Sequence, residues 1–456
     1  MERTTLFVDV ILPLALPNLY TYRVPYEWND AVAIGKRVVV QFGKNKLYTV
    51  LVRNIHSAVP GYETKYIVNI LDDAPIVNIK QFELWEWMAE YYMCAKGDVM
   101  NAALPGGLKL NSETKIILNS EYNSNKEIIK SLTDKEYLVI EALENTNVLS
   151  ISEVQQIIDQ KQVYPIIKSL IEKKLIVAEE EIKEKYKPKI EDFIGLTDDA
   201  DNEEKLKQIF TALEKKAFKQ LELLMEYIKI SDRYGNKKNF IKKSELLKNV
   251  EAKSNIINQL IRKNIFQLIE EEVGRLDYSS KANYTVTLNE YQQQAFVSIQ
   301  EQFKTKDVVL LHGVTSSGKT EIYIQLIQKA INEDKQVLYL LPEIALTTQI
   351  INRLKKHFGN LVGVYHSRLN ENERVEVWNE VLRFKIQNSK FKIILGARSA
   401  LFLPFDNLGL IIVDEEHDSS YKQQDPAPRY NARDSAVFLA GIHKAKILLG
   451  SATPAI

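Results

Sequence analysis

At 456 residues with 45% apolar side chains, the chain is long enough for about three domains of roughly 150 residues, each with an ordinary buried core. Its 60 basic and 60 acidic residues cancel, so no global field draws it to nucleic acid or to an anionic membrane, and any such binding must be local. A single cysteine, Cys94, excludes an internal disulfide and a multi-thiolate zinc site and suits a reducing cytoplasm.

The opening "MERTTLFVDVILPLALP" is apolar, but Asp9 and Pro13 interrupt it and neither a basic leader nor a cleavage site accompanies it. No run reaches the roughly 18 apolar residues of a membrane span, so a cytoplasmic protein without a membrane partner is expected. Residues 1–107 read as β-rich, with "TTLFVDVIL", "LYTYRVP", "GKRVVVQFG" and "YTVLVRNI" as short β-branched and aromatic runs between Pro, Gly and Asn signals. A helix, "NIKQFELWEWMAEYYMC", closes this region; Phe82, Trp85 and Met88 recur at helical spacing and read as core. Residues 36–65 carry six Lys or Arg against the one acid Glu63, with tyrosines nearby. Such a segment can hold a nucleic-acid backbone and stack bases, or it can be a solvated basic face.

From about residue 130 the pattern turns helical and repeats. "IIKSLIEKKLIVAEEE" from Ile166 lines up with "IINQLIRKNIFQLIEEE" from Ile256, and each copy follows two shorter helical segments. Helix, helix, helix and then an apolar strand is the order of a winged helix, so two copies are expected, at 108–190 and 191–284; a pair of helical hairpins without a nucleic-acid role fits the same pattern. Between them "EDFIGLTDDADNEEK" is acidic and reads as a linker.

From 285 to 456 strands alternate with amphipathic helices: "VVLLHG", "QVLYLLPE", "VGVYHS", "FKIILGA", "LGLIIVDE" and "AKILLGSAT" predict a parallel α/β sheet with its loops at the strand C-termini. "GVTSSGKT", Gly313 to Thr320, is a complete G-x-x-x-x-G-K-[ST] loop between a strand and a helix. The glycines Gly313 and Gly318 let the backbone, with Thr315, Ser316 and Ser317, approach phosphates; Lys319 neutralises them and Thr320 offers a hydroxyl to Mg²⁺, which points to ATP. About ninety residues on, "LIIVDEEH" ends a strand in Asp414, Glu415, Glu416 and His417. Phosphoryl transfer to water needs one carboxylate for the metal, the role of Asp414, and one to orient or deprotonate the nucleophile, the role of Glu415.

"DEEH" with "GSATP", "LLPEIALTTQ", "YHS" and "GARSALFLPF" resembles the first, RecA-like motor lobe of superfamily 2 DNA helicases, and in particular the bacterial primosomal replication-restart family, PriA. "LYTYRVP", "RVVVQFGK" and "ALP" resemble that family's N-terminal DNA-binding domain; the second winged-helix-like unit departs from its pattern. The fold class expected is therefore multidomain: a β-rich DNA 3′-end-binding domain, a winged-helix (α+β) middle and an α/β RecA-like P-loop lobe. The resemblance implies that Gln292 contacts adenine, that His417 joins the catalytic set, and that Ser451 and Thr453 couple hydrolysis to DNA movement. It implies further that Arg398 and Ser399 touch the DNA backbone and that the aromatic-rich loop from Ser420 to Arg433, with Tyr421, Lys422, Arg429 and Tyr430, senses DNA. A pocket for a nascent 3′ end maps to Tyr20, Thr21, Gly43 and Lys65, with Thr21 where an aspartate is expected.

By the same resemblance the partners are branched and single-stranded DNA, replication forks, primosome proteins and single-strand-binding protein, and the activity is ATP-dependent 3′-to-5′ unwinding. The chain stops at "GSATPAI", before the second lobe with its zinc cysteines, so a fragment or a truncated protein is expected, with zinc confined to the missing part. Transition-state arginines contribute on the order of 10³ to 10⁵ in rate in related enzymes, so this chain alone should hydrolyse ATP poorly. The rival reading is a non-enzymatic scaffold that holds branched DNA and carries a regulatory nucleotide-binding lobe; an RNA helicase leaves residues 1–107 unexplained.

Overall fold

The computed structural model describes residues 4–43, 46–109, 111–119, 132–160, 163–173, 175–183, 189–231, 240–250, 254–272, 287–314, 317–345, 347–383 and 391–454. The chain forms two compact units, residues 1–186 with 278–456, and residues 187–277.

The first unit begins with strands β1 (Phe7–Ile11), β2 (Tyr20–Arg23), β3 (Arg37–Phe42), β4 (Lys46–His56) and β5 (Ile67–Ile70), in the antiparallel order β2-β1-β4-β3-β5. Period-two patterning turns Val8, Val10, Val38, Val40, Val50 and Val52 into one apolar layer. Helix α1 (Ile79–Tyr91) starts at a reciprocal cap between Asn78 and Gln81 and buries Phe82, Trp85 and Met88, the core role expected of that spacing. Helix α2 (Lys96–Ala103) follows, and neither it nor β5 was evident in the sequence, both being short.

The basic stretch 36–65 is not one open face. Lys36 and Arg37 are buried: the Lys36 ammonium donates to the Ala31 carbonyl at 2.7 Å, and the Arg37 guanidinium donates to Asp72 at 2.6 and 3.1 Å and to the Leu108 carbonyl at 2.8 Å. Arg53 is bound to Glu86 of α1 at 2.9 and 3.1 Å. Three of the six cations therefore hold the fold, because a buried cation needs a partner and these strands supply one.

A winged helix follows: β6 (Asn111–Leu118), α3 (Asp134–Thr146), β7 (Val148–Ser150), α4 (Ile151–Ile158), α5 (Tyr164–Glu172) and β8 (Ile176–Lys183), with sheet order β7-β6-β8. The second unit repeats the plan with β9 (Ile190–Leu196), α6 (Glu203–Lys216), α7 (Phe218–Ile230), β10 (Phe240–Lys242), α8 (Lys243–Val250), α9 (Ser254–Arg262) and β11 (Phe266–Glu272), in the order β10-β9-β11. Both copies begin with a strand that the helical repeat did not reveal. In the second copy this corrects the linker reading of "EDFIGL": β9 is the middle strand, hydrogen-bonded on both edges, with Ile194 in the core. Its acids are compensated, Glu191 by Lys189 and Lys242, and Asp192 by Lys243 at 2.8 Å, so acidic composition did not mean solvent.

Residues 287–454 form the α/β lobe: α10 (Glu290–Thr305), β12 (Val308–His312), α11 (Lys319–Asn332), β13 (Gln336–Leu340), α12 (Thr348–Phe358), β14 (Val362–Tyr365), α13 (Glu371–Leu382), β15 (Ile393–Gly396), β16 (Leu408–Asp414), α14 (Ala432–His443) and β17 (Lys446–Ser451). All six strands are parallel, in the order β12-β17-β16-β13-β15-β14. Strands β13 and β15 are buried along their whole length, as expected when helices cover both faces. The β-rich domain packs directly on this lobe. Gln81 donates to the Phe402 carbonyl at 2.7 Å, Asn78 to that of Phe405 at 2.9 Å, and the Trp378 indole to the Ile76 carbonyl at 2.9 Å. No helix among the described residues is long and apolar enough to cross a membrane.

Candidate ATP and DNA sites

The C-terminal ends of β12, β16 and β17 bring the sequence-predicted nucleotide residues together. Gly318 ends the phosphate loop at φ +85°, a backbone angle that requires glycine, and the Gln292 amide nitrogen lies 2.1 Å from where a Cβ would stand. Lys319 opens α11; its ammonium donates to the Gly313 carbonyl at 2.8 Å and lies 3.5 Å from Glu415. Thr320 stands beside it in the first turn. Gln292 sits in the capping box of α10, accepting from the Asn289 N–H at 3.0 Å and reaching Gly318 O at 3.4 Å. Ser317 is exposed, with its N–H on the Val314 carbonyl at 3.2 Å. Thr315 and Ser316 lie outside the described residues.

Asp414, the last residue of β16, is held by two groups that the sequence did not point to. The Tyr323 hydroxyl donates to one carboxylate oxygen at 3.0 Å and the Tyr339 hydroxyl to the other at 3.1 Å. Burial pushes the Asp414 carboxyl up and Glu415 adds to this, while the tyrosine hydroxyls and Lys319 oppose it; the balance stays above the usual carboxylate value. Glu415 takes a left-handed φ of +47°, rare outside glycine, which turns its side chain back over Lys319. The His417 ring pairs with the Ser451 hydroxyl at 2.8 Å and lies 3.9 Å from Glu415, beside the backbone bond from the Glu416 N–H to the Gly450 carbonyl at 3.0 Å that joins the same strand ends. Gly450 faces the Tyr323 hydroxyl, 1.8 Å from where a Cβ would stand, so tyrosine reaches the aspartate only across a glycine. Thr453 is exposed.

The loop after this strand corrects a sequence expectation. Tyr421 and Tyr430 are each 1% exposed and offer no stacking face. The Tyr421 hydroxyl donates to the Asp414 carbonyl at 2.6 Å, and the Tyr430 ring packs edge-on against Phe402 at 5.1 Å. Arg398, expected on the DNA backbone, donates instead to the carbonyls of Ser420 at 3.1 Å and Lys422 at 3.4 Å; Ser399 is half-buried beside it. Lys422 and Asn431 form an antiparallel bridge, and Gln423 donates to the Pro426 and Pro428 carbonyls at 2.9 Å, so the segment is folded rather than waiting for DNA to order it. The aromatic residues are used inward because the loop needs its own small core. Arg429 remains at the tip, ion-paired with Asp425 at 3.2 Å, and its side chain is 65% exposed.

In the β-rich domain Lys65 donates to the Gly43 carbonyl at 2.9 Å, and Tyr20 meets Phe42, next to Gly43, edge-on at 4.9 Å. Thr21 points to the other face of β2, as alternation requires, and its hydroxyl donates to Asp9 at 2.7 Å. Asn54 and His56 of β4 also reach Asp9, at 3.2 and 3.3 Å. Burial pushes the Asp9 carboxyl up, but these hydrogen bonds outweigh it and hold the group below its usual value. A carboxylate therefore stands one strand away from the position where the family leads one to expect it; the lone acid in the apolar "FVDVIL" was its signal. Tyr62 and Tyr66 are exposed, with the Arg23 guanidinium 5.2 Å from the Tyr66 ring.

Family profiles match the chain in four places: a 3′ DNA-binding domain (3′BD) of PriA at 9–105, a winged helix domain at 113–181, a winged helix domain of PriA helicase from Bacteroidota at 191–273, and a DEAD/DEAH box helicase domain at 289–455. Replication restart protein PriA of Bacillus subtilis is 32% identical over 99% of this chain. Along nearly its whole length the chain is similar to PriA replication restart proteins. PriA of Haemophilus influenzae is 32% identical over 98% of the chain, and PriA of Rickettsia conorii is 48% identical over 37% of it and 25% of that relative. The chain spans about half the length of the curated PriA relatives it matches along its full extent, 53% and 49%. The 191–273 match shows that the second winged helix, which looked like a departure, occurs within PriA.

Proposed function

We propose that this chain supplies the DNA-reading domains and first motor lobe of an ATP-driven DNA helicase that recognises branched or stalled forks and restarts replication with primosome proteins and single-strand-binding protein, unwinding 3′ to 5′ in the cytoplasm. The observation that carries this reading is the convergence of Lys319, Asp414, Glu415, His417 and Ser451 at the ends of three neighbouring parallel strands. We read residues 1–107 as the 3′-end domain, 108–190 and 191–284 as winged helices and 285–456 as the motor lobe.

Asp414 and Thr320 would hold a magnesium ion carried in with ATP: the carboxylate is buried with its tyrosine donors, and the hydroxyl belongs to the first turn of α11, next in sequence to Lys319. Bound there, Mg²⁺–ATP brings the polarised phosphoryl group to be transferred. Lys319 and the loop amides would neutralise and orient the phosphates, Gln292 would contact the adenine, and Glu415 would take a proton from water. His417 and Ser451 tie that glutamate to β17, so a change at either end of the pair is felt at the other; Thr453 extends the same segment. Tyr20, Gly43 and Lys65 make one wall of the 3′-end site, while Thr21, on the other face of β2, is engaged by Asp9.

Lys319→Ala in the complete protein tests the motor. ATP hydrolysis should be lost while affinity for forked DNA stays within about twofold, since the proposed DNA contacts lie elsewhere. Unchanged hydrolysis sinks the reading.

A further inference from the structure

Tyr92 caps the C-terminal end of α1 and belongs to the β-rich domain, yet its side chain ends in the motor lobe. Its hydroxyl accepts from the Asn431 N–H at 3.1 Å and donates to the Asn431 carbonyl at 3.4 Å, and the Lys422 ammonium lies 5.4 Å from its ring centroid. Lys422 and Asn431 are the two residues whose bridge closes the neck of the 420–433 loop, so one phenol holds both sides of it. The neck is tied to the acidic strand end as well, by Tyr421 on the Asp414 carbonyl at 2.6 Å and Arg433 on the buried Glu416 carboxylate at 3.0 Å. Trp87, earlier on α1, stacks on Phe438 of α14 with centroids 4.2 Å apart, a second contact between α1 and the helix that follows the loop.

At its other side α1 is tied to the sheet. Arg53 of β4 grips Glu86 of α1 through two nitrogens and donates to Asn54 at 3.1 Å; Asn54 in turn donates to Asp9, the acceptor of Thr21. Polar contacts thus run from the Thr21–Asp9 pair through β4 to Glu86 of α1, the helix whose C-terminal end carries Tyr92 to the loop neck.

We propose that Tyr92 is a positioning residue that links the β-rich domain to ATP hydrolysis, by fixing the neck of the 420–433 loop relative to Asp414 and Glu416. It touches neither nucleotide nor DNA. The coupling is a free-energy difference between arrangements of the neck, and it is read as the ratio of DNA-stimulated to basal hydrolysis. The inference rests on the motor reading given above.

Tyr92→Phe in the full-length protein removes the hydroxyl and keeps the ring. The maximal rate with forked DNA should fall about threefold to tenfold, the range set by one or two hydrogen bonds, while basal hydrolysis and fork affinity stay within about twofold. Hydrogen exchange at the Asn431 amide should quicken in parallel. A variant that keeps full stimulation, or loses basal and stimulated rates in equal proportion, overturns the tether. A wild-type protein whose hydrolysis ignores DNA overturns the motor reading itself, so the two failures are told apart by the wild-type control.

Discussion

Truncating Tyr430 separates two roles for the loop that follows the acidic strand end. Its ring is 1% exposed and packs on Phe402 at a centroid distance of 5.1 Å and an interplanar angle of 70°. A buried aromatic ring covers about 150–250 Å², and its replacement by alanine costs about 3–5 kcal/mol, of which the edge-to-face pair accounts for about 0.5–1.5 kcal/mol. At about 2–4 °C per kcal/mol for a lobe of roughly 150–250 residues, Tyr430→Ala should lower the melting temperature of the motor lobe by about 6–20 °C. Arg429→Ala, at the exposed tip, should leave the melting temperature within about 2 °C, because a surface ion pair contributes little. The same Arg429 variant should lose part of its stimulation by single-stranded DNA. Thermal unfolding followed by circular dichroism, together with hydrolysis measured with and without single-stranded DNA, decides the matter. If Tyr430→Ala melts like the parent protein yet no longer responds to DNA, the ring is a base-stacking platform and its assignment to the loop's core is wrong.

Lys65→Ala should weaken any preference for forks ending in a free 3′ hydroxyl over forks ending in a 3′ phosphate; anisotropy titrations at one salt concentration test this, and an undiminished preference removes Lys65 from the site. Burial pushes Glu136 of the first winged helix up, but Lys173, Ser169 and Thr133 outweigh it and bring its carboxyl to about 2. Its folded value is thus depressed, so the stability it contributes is complete above its ordinary value of 4.5 and is lost as pH falls toward about 2. Urea denaturation across that window should therefore show a shallower acid limb for Glu136→Gln than for the parent protein. Arg433→Ala removes the guanidinium that faces the buried Glu416 carboxylate and should cost about 1.5–3 kcal/mol in urea denaturation, the range for a hydrogen bond to a charged group; an unchanged midpoint would mean the carboxylate is satisfied without it.

What the amino-acid sequence determined by itself were the features encoded over short spans. The phosphate loop is a run of eight residues whose glycines and lysine have few other uses, and the parallel strands are apolar runs that end at the site, so both could be located without coordinates. The helical repeat at Ile166 and Ile256 likewise announced two related modules, but the leading strands β6 and β9 depend on partners far along the chain, and the acids of β9 disguised a central strand as a linker. Only the tertiary structure decided which way side chains face. The family resemblance marked Tyr421, Tyr430 and Arg398 as binding groups and basic composition marked the stretch that holds Arg37, whereas packing turned all four toward protein partners, because a buried ring or cation is retained where neighbouring strands and loops supply its contacts. The same long-range pairing placed Asp9 opposite Thr21, set Tyr323 and Tyr339 on Asp414, and carried Tyr92 across to Asn431, contacts between residues 12, 91, 75 and 339 positions apart that no local pattern could have encoded.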